Sequence, residues 1–461
     1  MPYKNQAADK SGHSDFVKNP DIQRFLEDCE YMKEPTDDEA KAMASSFSEA
    51  PSSQEPQLPK FVVASDASKS DTPINDKLPS TQLGFVKVSH VLIKMEEYAK
   101  LIDPKSRFVD PFKVADMHRN AQPVTYVLPG SNIRYQNSPT VRDGFRHAVY
   151  DQLSVNQRDG TNRMVLSEIL LEINDNHITI DHCPAYGCHA DTSHLHFTTQ
   201  TPTHTCPACG TTIYATDWLR LHEGLSDFGD NTSAITRMMN AVEHLLLAAF
   251  ILEFLTGDPA SLGTIAFVMD GPLAIFGQPA KLHARVMALV HKANLKLAGI
   301  GMEPLLIMGL QKTGAVMDHA NLLNRFLPNG RIRVIDDLYR HTYITGSEEP
   351  TNDYNFGHES YYGQDFLFKT ERGRIFNFAL VYPFQDKTGV KRVEFARMKA
   401  EASRYGSLIE RACDLIRHFE LDLYDSAIVP VALAHRHASI SLMPGGKVLD
   451  LIARAALAPG K

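Results

Sequence analysis

Apolar and polar positions divide the chain into a polar arm, a strand-rich opening, a short cysteine- and histidine-rich stretch, and a long region where strands and helices alternate. Residues 1–57 are rich in Ser, Asp, Lys and Pro, with one amphipathic stretch from Ile22 to Met32, and read as a flexible or docking arm. Phe61-Val62-Val63-Ala64 is a short apolar run of β type that gives way to Ser65-Asp66-Ala67-Ser68, and a second strand opens at Leu83-Gly84-Phe85-Val86. Val165 to Ile180 alternates as strands leading into the cysteine stretch, which carries too little aliphatic surface to form its own core. From Ala234 to Leu255 apolar residues recur every three to four positions with few breakers, which predicts a helix. A buried strand follows at Thr264 to Met269 and stops at Asp270-Gly271-Pro272. Beyond it the pattern predicts a helix over Pro279 to Leu297, a strand at Pro304 to Met308, a turn at Gly309 to Gly314 and a strand at Ile332 to Ile335. A hairpin of Phe366–Lys369 with Arg374–Tyr382 and a helical region from Arg392 to Phe419 complete the series. Strands alternating with helices place the fold in the α/β class.

Composition narrows the picture. With 461 residues, 43% apolar and 22% charged, the chain can bury a sizeable core and is neither collagenous, coiled-coil nor wholly disordered. Lys and Arg number 47 against 55 Asp and Glu, a net charge of −8 that argues against nucleic-acid binding by bulk charge alone. Any DNA contact is expected to be local, metal-assisted or shared with a partner. The longest apolar run, Leu245 to Leu252, falls well short of the ~20 residues that span a bilayer, and the polar N-terminus lacks a signal-sequence pattern. The expectation is a cytoplasmic protein without a membrane span.

Four of the six cysteines fall between Cys183 and Cys209. Cys183-x4-Cys188, seventeen intervening residues and Cys206-Pro-Ala-Cys209-Gly210 give the two short pairs that a tetrahedral Zn2+ takes, with thiolates at about 2.3 Å. A closed four-ligand site leaves no position for substrate, so the expected Zn2+ is structural; His182, His189 and His204 are substitute ligands.

A second constellation is dispersed. Asp66 and Asp270 each follow an apolar strand and precede small residues, at the rim of an α/β sheet where ligands and ions collect. Two carboxylates brought together there repel unless a divalent cation lies between them, the charge logic of metal-dependent phosphodiester cleavage; taken singly, each also reads as a turn or helix cap. Glu243 lies on or near the apolar stripe of the 234–255 helix and is the candidate third acidic ligand, with Glu253 its rival on the same helix; a salt-bridged helix residue is the alternative. His435, in Pro430-Val-Ala-Leu-Ala-His435-Arg436-His437, is either a core histidine or a ligand or base. Lys312, in the Gly309 to Gly314 turn, is a candidate DNA phosphate contact.

In order along the chain, Ser65-Asp66-Ala67-Ser68, Phe85-Val86, Met269-Asp270-Gly271-Pro272-Leu273, Gly309-Leu-Gln-Lys312-Thr313, Asp336-Asp337, Tyr362-Gly363-Gln364-Asp365-Phe366 and Ala434-His435-Arg436-His437-Ala438 resemble the NurA nuclease family over about residues 60–450. The cysteine segment looks like the insertion of its bacterial members, and Ala67 departs from the more usual Asp-Gly-Ser. The resemblance implies an RNase H-like core and Mn2+- or Mg2+-dependent 5′ to 3′ exonuclease or endonuclease activity on DNA. It also implies a homodimer working with a HerA-type hexameric ATPase in DNA repair or anti-phage defence. It assigns Asp66 and Asp270 as metal-binding aspartates and His435 as the histidine beside them, with two divalent ions held by Asp66, Asp270 and Glu243. The division is then an arm at 1–57, nuclease core at 58–180, a zinc ribbon at 181–215 and core again at 216–461. An acidic nuclease is then expected to hold DNA in a groove lined by Lys312, Arg333, Arg340, Lys369 or Arg436, or to receive the strand from the ATPase ring, and the apolar tail Val448 to Leu457 is a candidate interface. The rival reading is a non-catalytic adaptor that binds DNA or an ATPase, with the carboxylates as caps.

Overall fold

The computed structural model describes residues 19–29, 34–74, 77–99, 121–156, 164–345, 356–420 and 428–439; the tail from Val448 to Leu457 lies outside them. The strands are β1 (Ser48–Glu49), β2 (Phe61–Pro73), β3 (Gln82–Lys94) and β4 (Ala121–Pro129). Short pairs follow at β5 (Ile178–Thr179) with β6 (His196–Phe197), and at β7 (Thr203–Thr205) with β8 (Thr212–Tyr214). The last five are β9 (Ile265–Asp270), β10 (Leu306–Gln311), β11 (Arg331–Val334), β12 (Gly363–Lys369) and β13 (Ile375–Val381). Nine of them form one mixed sheet in the order β1-β11-β12-β13-β10-β9-β2-β3-β4. At its centre β2, β9 and β10 run parallel, while the flanking pairs are antiparallel. Parallel strands covered on both faces read as continuous apolar runs, and Ile265 to Met269 and Leu306 to Leu310 are buried throughout.

Alternate residues of these strands enter two cores. Val63, Phe267 and Ile307 pack under the helices Thr232–Gly257 and Leu282–Gly299, whereas Val62, Ala64, Val268 and Met308 pack under Leu408–Phe419 and Val429–Ala438. The helix Thr232–Gly257 is long and apolar enough to cross a bilayer by composition, but 72% of its most apolar window is buried in this core. Within the N-terminal arm, the helix Asp37–Ser45 starts in a Thr36–Glu39 capping box and buries Ala40, Met43 and Ala44 in a third core against Met317, Leu323 and Leu367. The helix Pro20–Glu27 buries nothing.

Three expected elements differ. β2 does not stop after Ala64 but continues to Pro73, because β3 pairs with it residue for residue across the polar Ser68–Asp71 stretch. Val165 to Ile180 contains the helix Leu166–Glu172 rather than strands, since its apolar residues at 166, 169, 170 and 173 also satisfy helical spacing and are drawn into the first core. The predicted turn at Gly309 to Gly314 begins later, because pairing with β9 and β13 carries β10 through Gln311.

Candidate metal centre

The parallel pairing of β2 with β9 stops at Ser65 and β9 and β10 end at Asp270 and Gln311, while β2 runs on beside β3, and this register builds the site. Ser65 is aligned with Met269 and Asp270 with Leu310, so Asp66 and Asp270 stand side by side on one face, and Lys312 follows two residues past Leu310 on that same face. Glycine lets the strand ends close up: a Cβ at Gly309 would lie 2.6 Å from the Gly271 carbonyl oxygen. His435 arrives from the helix Val429–Ala438, whose Val431, Ala434 and Ala438 are buried. The Ser68 hydroxyl ties this helix to β2 by donating to the Ala438 carbonyl.

His435 Nδ1 lies 2.8 Å from Asp66 Oδ2, and Asp66 Oδ1 accepts the Ala67 N–H at 2.9 Å. Lys312 Nζ donates to Asp270 Oδ2 at 2.7 Å. Asp66 is buried and His435 exposed. Asp66, Asp270 and His435 each bring one ligand atom into a group whose members lie within 4.8 Å of one another. Burial, then the charge of Asp270, holds the Asp66 carboxyl above the usual carboxylate range, against the opposing pull of His435 and Lys312. That is the electrostatics of a pair of acids suited to a cation. The Asp66 carboxylate thus holds the His435 ring through Nδ1. A cavity of about 470 Å3 opens here, lined by Asp270, Gly271, Pro272, Gln311, Lys312, Thr313, Ala432 and His435.

Glu243 does not join this group. Its carboxylate accepts from Ser65 Oγ at 3.0 Å, and Ser65, next to Asp66 in the strand, points to the opposite face of the sheet. Burial first, and the charge of Asp66 second, push its carboxyl up to about 8. The helical pattern marked Glu243 as buried but gave no hint of which face of the sheet it would meet.

The other proposed DNA-binding cations are engaged elsewhere. Arg340 is buried against Asp365 at 2.6 Å, Arg333 bonds Asp336 and the Ser46 carbonyl, and Lys369 caps the carbonyls of Asn324 and Leu327. Arg436 falls outside the described side chains. Asp336 caps the turn at Asp337–Tyr339, and Asp337 pairs with Lys399 at 2.6 Å. Glu253 is not among the grouped ligand atoms.

The four cysteines converge separately. Cys183 Sγ lies 3.7 Å from Cys209 Sγ and Cys188 Sγ 3.9 Å from Cys206 Sγ, close to the ~3.8 Å edge of a tetrahedron with sulfurs about 2.3 Å from its centre and far from a disulfide. All four sulfurs lie within 4.8 Å of one another, a donor set that fits Zn2+. Two knuckles present them: Gly187 and Gly210 take φ of 75° and 73°, and the Gly210 N–H bonds the Cys206 carbonyl. His204 instead contacts the His196 carbonyl through Nε2. Phe197 and Ile213 sink into the first core, so the segment docks on the main body. Arg146 clamps it there, bonding both oxygens of Asp217 and the Thr212 carbonyl.

No protein-family model and no curated protein matches this sequence. Among solved structures, the chain is similar to the NurA nuclease from Sulfolobus solfataricus, with 9% identity, a TM-score of 0.36 and 97% of each chain covered.

Proposed function

We propose that this chain is a divalent-metal-dependent DNA nuclease. The observation that carries the reading is the convergence of Asp66, Asp270 and His435 within 4.8 Å where the parallel pairing of β2, β9 and β10 stops, with Lys312 beside them. A cation bound there supplies Lewis acidity and lowers the pKa of a coordinated water. The chain's own residues do the rest. Asp66 and Asp270 offer carboxylate oxygens, Asp66 orients the His435 ring through Nδ1, and Lys312 supplies a positive charge to a phosphodiester entering the cavity. Burial of Asp66 keeps water from weakening its contact with His435.

DNA as substrate, Mn2+ as the working ion, 5′ to 3′ polarity, a homodimer and a HerA-type ATPase partner follow from the motif resemblance, as does a role in repair or anti-phage defence. The enzyme reading expects Asp66, Asp270 and a third acidic residue to converge, and the adaptor reading expects either Asp to cap a helix and point away; the two aspartates meet with His435, which supports the enzyme, while Glu243 does not supply the third acid. Degradation of 5′- and 3′-labelled linear DNA with Mn2+, Mg2+ or EDTA tests the proposal, using the chain and its Asp66→Ala variant with and without the ATPase. Activity that requires both metal and Asp66 is expected; none from folded, zinc-loaded protein under any of these conditions would leave the adaptor reading standing.

A further inference from the structure

The donor set is small for the reaction assigned to it. Among the described residues only two carboxylates, Asp66 and Asp270, stand in the group, and the third acid, Glu243, is hydrogen-bonded on the other face of the sheet. Of the carboxylate oxygens, Asp66 Oδ1 accepts a backbone N–H, Asp66 Oδ2 meets His435, and Asp270 Oδ2 accepts from Lys312. A second divalent ion bridging to Asp270 would have to take the oxygen that Lys312 already holds.

Charge points the same way. One divalent ion neutralises two carboxylates, and the Lys312 ammonium then matches a single phosphodiester charge. Two divalent ions together with Lys312, set against two carboxylates and one phosphodiester, leave two positive charges uncompensated in a partly buried cavity, where excess charge is costly. Lys312 is also held by the fold, one residue past the end of β10. The β9–β10 register delivers it to Asp270, and both side chains are partly buried, with 26% and 18% of their surface exposed.

We infer that Lys312 is the second cation of this centre: its ammonium occupies the side of Asp270 that a second divalent ion would otherwise take, so that the wild-type protein holds one divalent ion and meets the scissile phosphate with Lys312. This rests on the nuclease reading and replaces the two-ion arrangement expected from the sequence. The lysine substitutes for an ion with a fixed charge that needs no uptake from solution.

The test is Mn2+ stoichiometry on the full, zinc-loaded chain, by electron paramagnetic resonance and calorimetry, counting only ions lost in an Asp66→Asn/Asp270→Asn double variant. One ion is expected in the wild type and in Lys312→Arg, and two in Lys312→Met, with the first bound about tenfold more tightly once its competitor is gone. Lys312→Met is also expected to lower single-turnover cleavage even at saturating Mn2+, with its melting temperature unchanged. Two ions in the wild type, or one ion at unaltered affinity in Lys312→Met, overturns the inference and leaves the nuclease reading in place. No Mn2+ above the double-variant background overturns the metal reading itself, and this inference with it.

Discussion

Replacing Arg146 tests whether the cysteine segment is held by a charge clamp or merely by apolar contact. Arg146 Nε and Nη2 donate to the two Asp217 oxygens at 2.8 and 2.7 Å, Nη1 reaches Asp143 at 2.9 Å and Nη2 also bonds the Thr212 carbonyl at 2.8 Å. The two partners are 1% and 2% exposed, so their charges have left water. Arg146→Met keeps much of the side-chain volume but strands the Asp217 carboxylate, and breaking such a buried pair from one side costs about 3–5 kcal/mol. The double variant Arg146→Met/Asp217→Asn removes both charges, keeps the Tyr214 N–H bonded to residue 217, and is expected to recover more than half of that loss. Urea unfolding followed through Trp218, the sole tryptophan, which sits beside the segment in the Ala215–Leu219 turn, reads both values. A loss below about 1 kcal/mol for the single variant would refute the clamp, since surface pairs are worth no more than that. A double variant as unstable as the single one would refute the stranded-charge account and leave packing as the cause.

Other consequences are open to measurement. The Glu243 carboxyl, raised from its ordinary 4.5 to about 8, binds its proton more tightly in the folded state. Its contribution is therefore complete below about pH 4.5 and is lost as pH rises through 8, by up to roughly 5 kcal/mol. Glu243→Gln should match the wild type in urea midpoint at pH 5 and exceed it at pH 9, and parallel profiles would contradict the assignment. His435→Ala is expected to lower single-turnover DNA cleavage by about 100-fold, the scale of a lost proton-transfer group, while leaving the zinc content intact; an effect under threefold would remove His435 from the centre. Cys206→Ser, or zinc withdrawal by a chelator, is expected to abolish the ordered environment of Trp218, seen as a red shift in emission with bound zinc measured in parallel; unchanged emission from zinc-free protein would show that the segment folds without metal.

What the sequence made legible was whatever depends on neighbours in the chain. The cysteine pairs declare themselves by spacing because each knuckle is a local turn, and β9 and β10 do so because a strand buried on both faces is a continuous apolar run. Asp66 and Asp270 were visible as the acids that interrupt such runs. What depends on distant partners was hidden. The polar half of β2 is a strand only because β3 pairs with it, and Leu166–Glu172 chooses helix over strand because of the core it enters. Lys312 could be noted as a turn lysine, but its contact with Asp270 follows from a β9–β10 register that no local pattern encodes. Glu243 shows the converse: helical periodicity gave its burial correctly, while the face of the sheet it meets is set by how the helix Thr232–Gly257 crosses β2.

The charge distribution leads to a last prediction. A chain of net charge −8 gains little from bulk attraction to DNA, and three of the five cations proposed for the groove are committed elsewhere: Arg340 to Asp365, Arg333 to Asp336 and Lys369 to backbone carbonyls. Each phosphate neutralised by a Lys or Arg contributes about −0.9 to the slope of log Kobs against log salt on duplex DNA. If Lys312 is a phosphate contact, Lys312→Met should reduce the magnitude of that slope by about one, measured in EDTA-free buffer with Ca2+ in place of a catalytic ion to prevent cleavage. Arg333→Met should leave the slope unchanged, because its guanidinium is held by Asp336 and the Ser46 carbonyl. The isolated chain should then show a shallow slope, of about 1–3, that steepens when the ATPase is added, because the remaining phosphate contacts belong to the partner. A steep slope for the chain alone, unaffected by Lys312→Met, would place the DNA on another basic surface and separate binding from the Asp66–Asp270 centre.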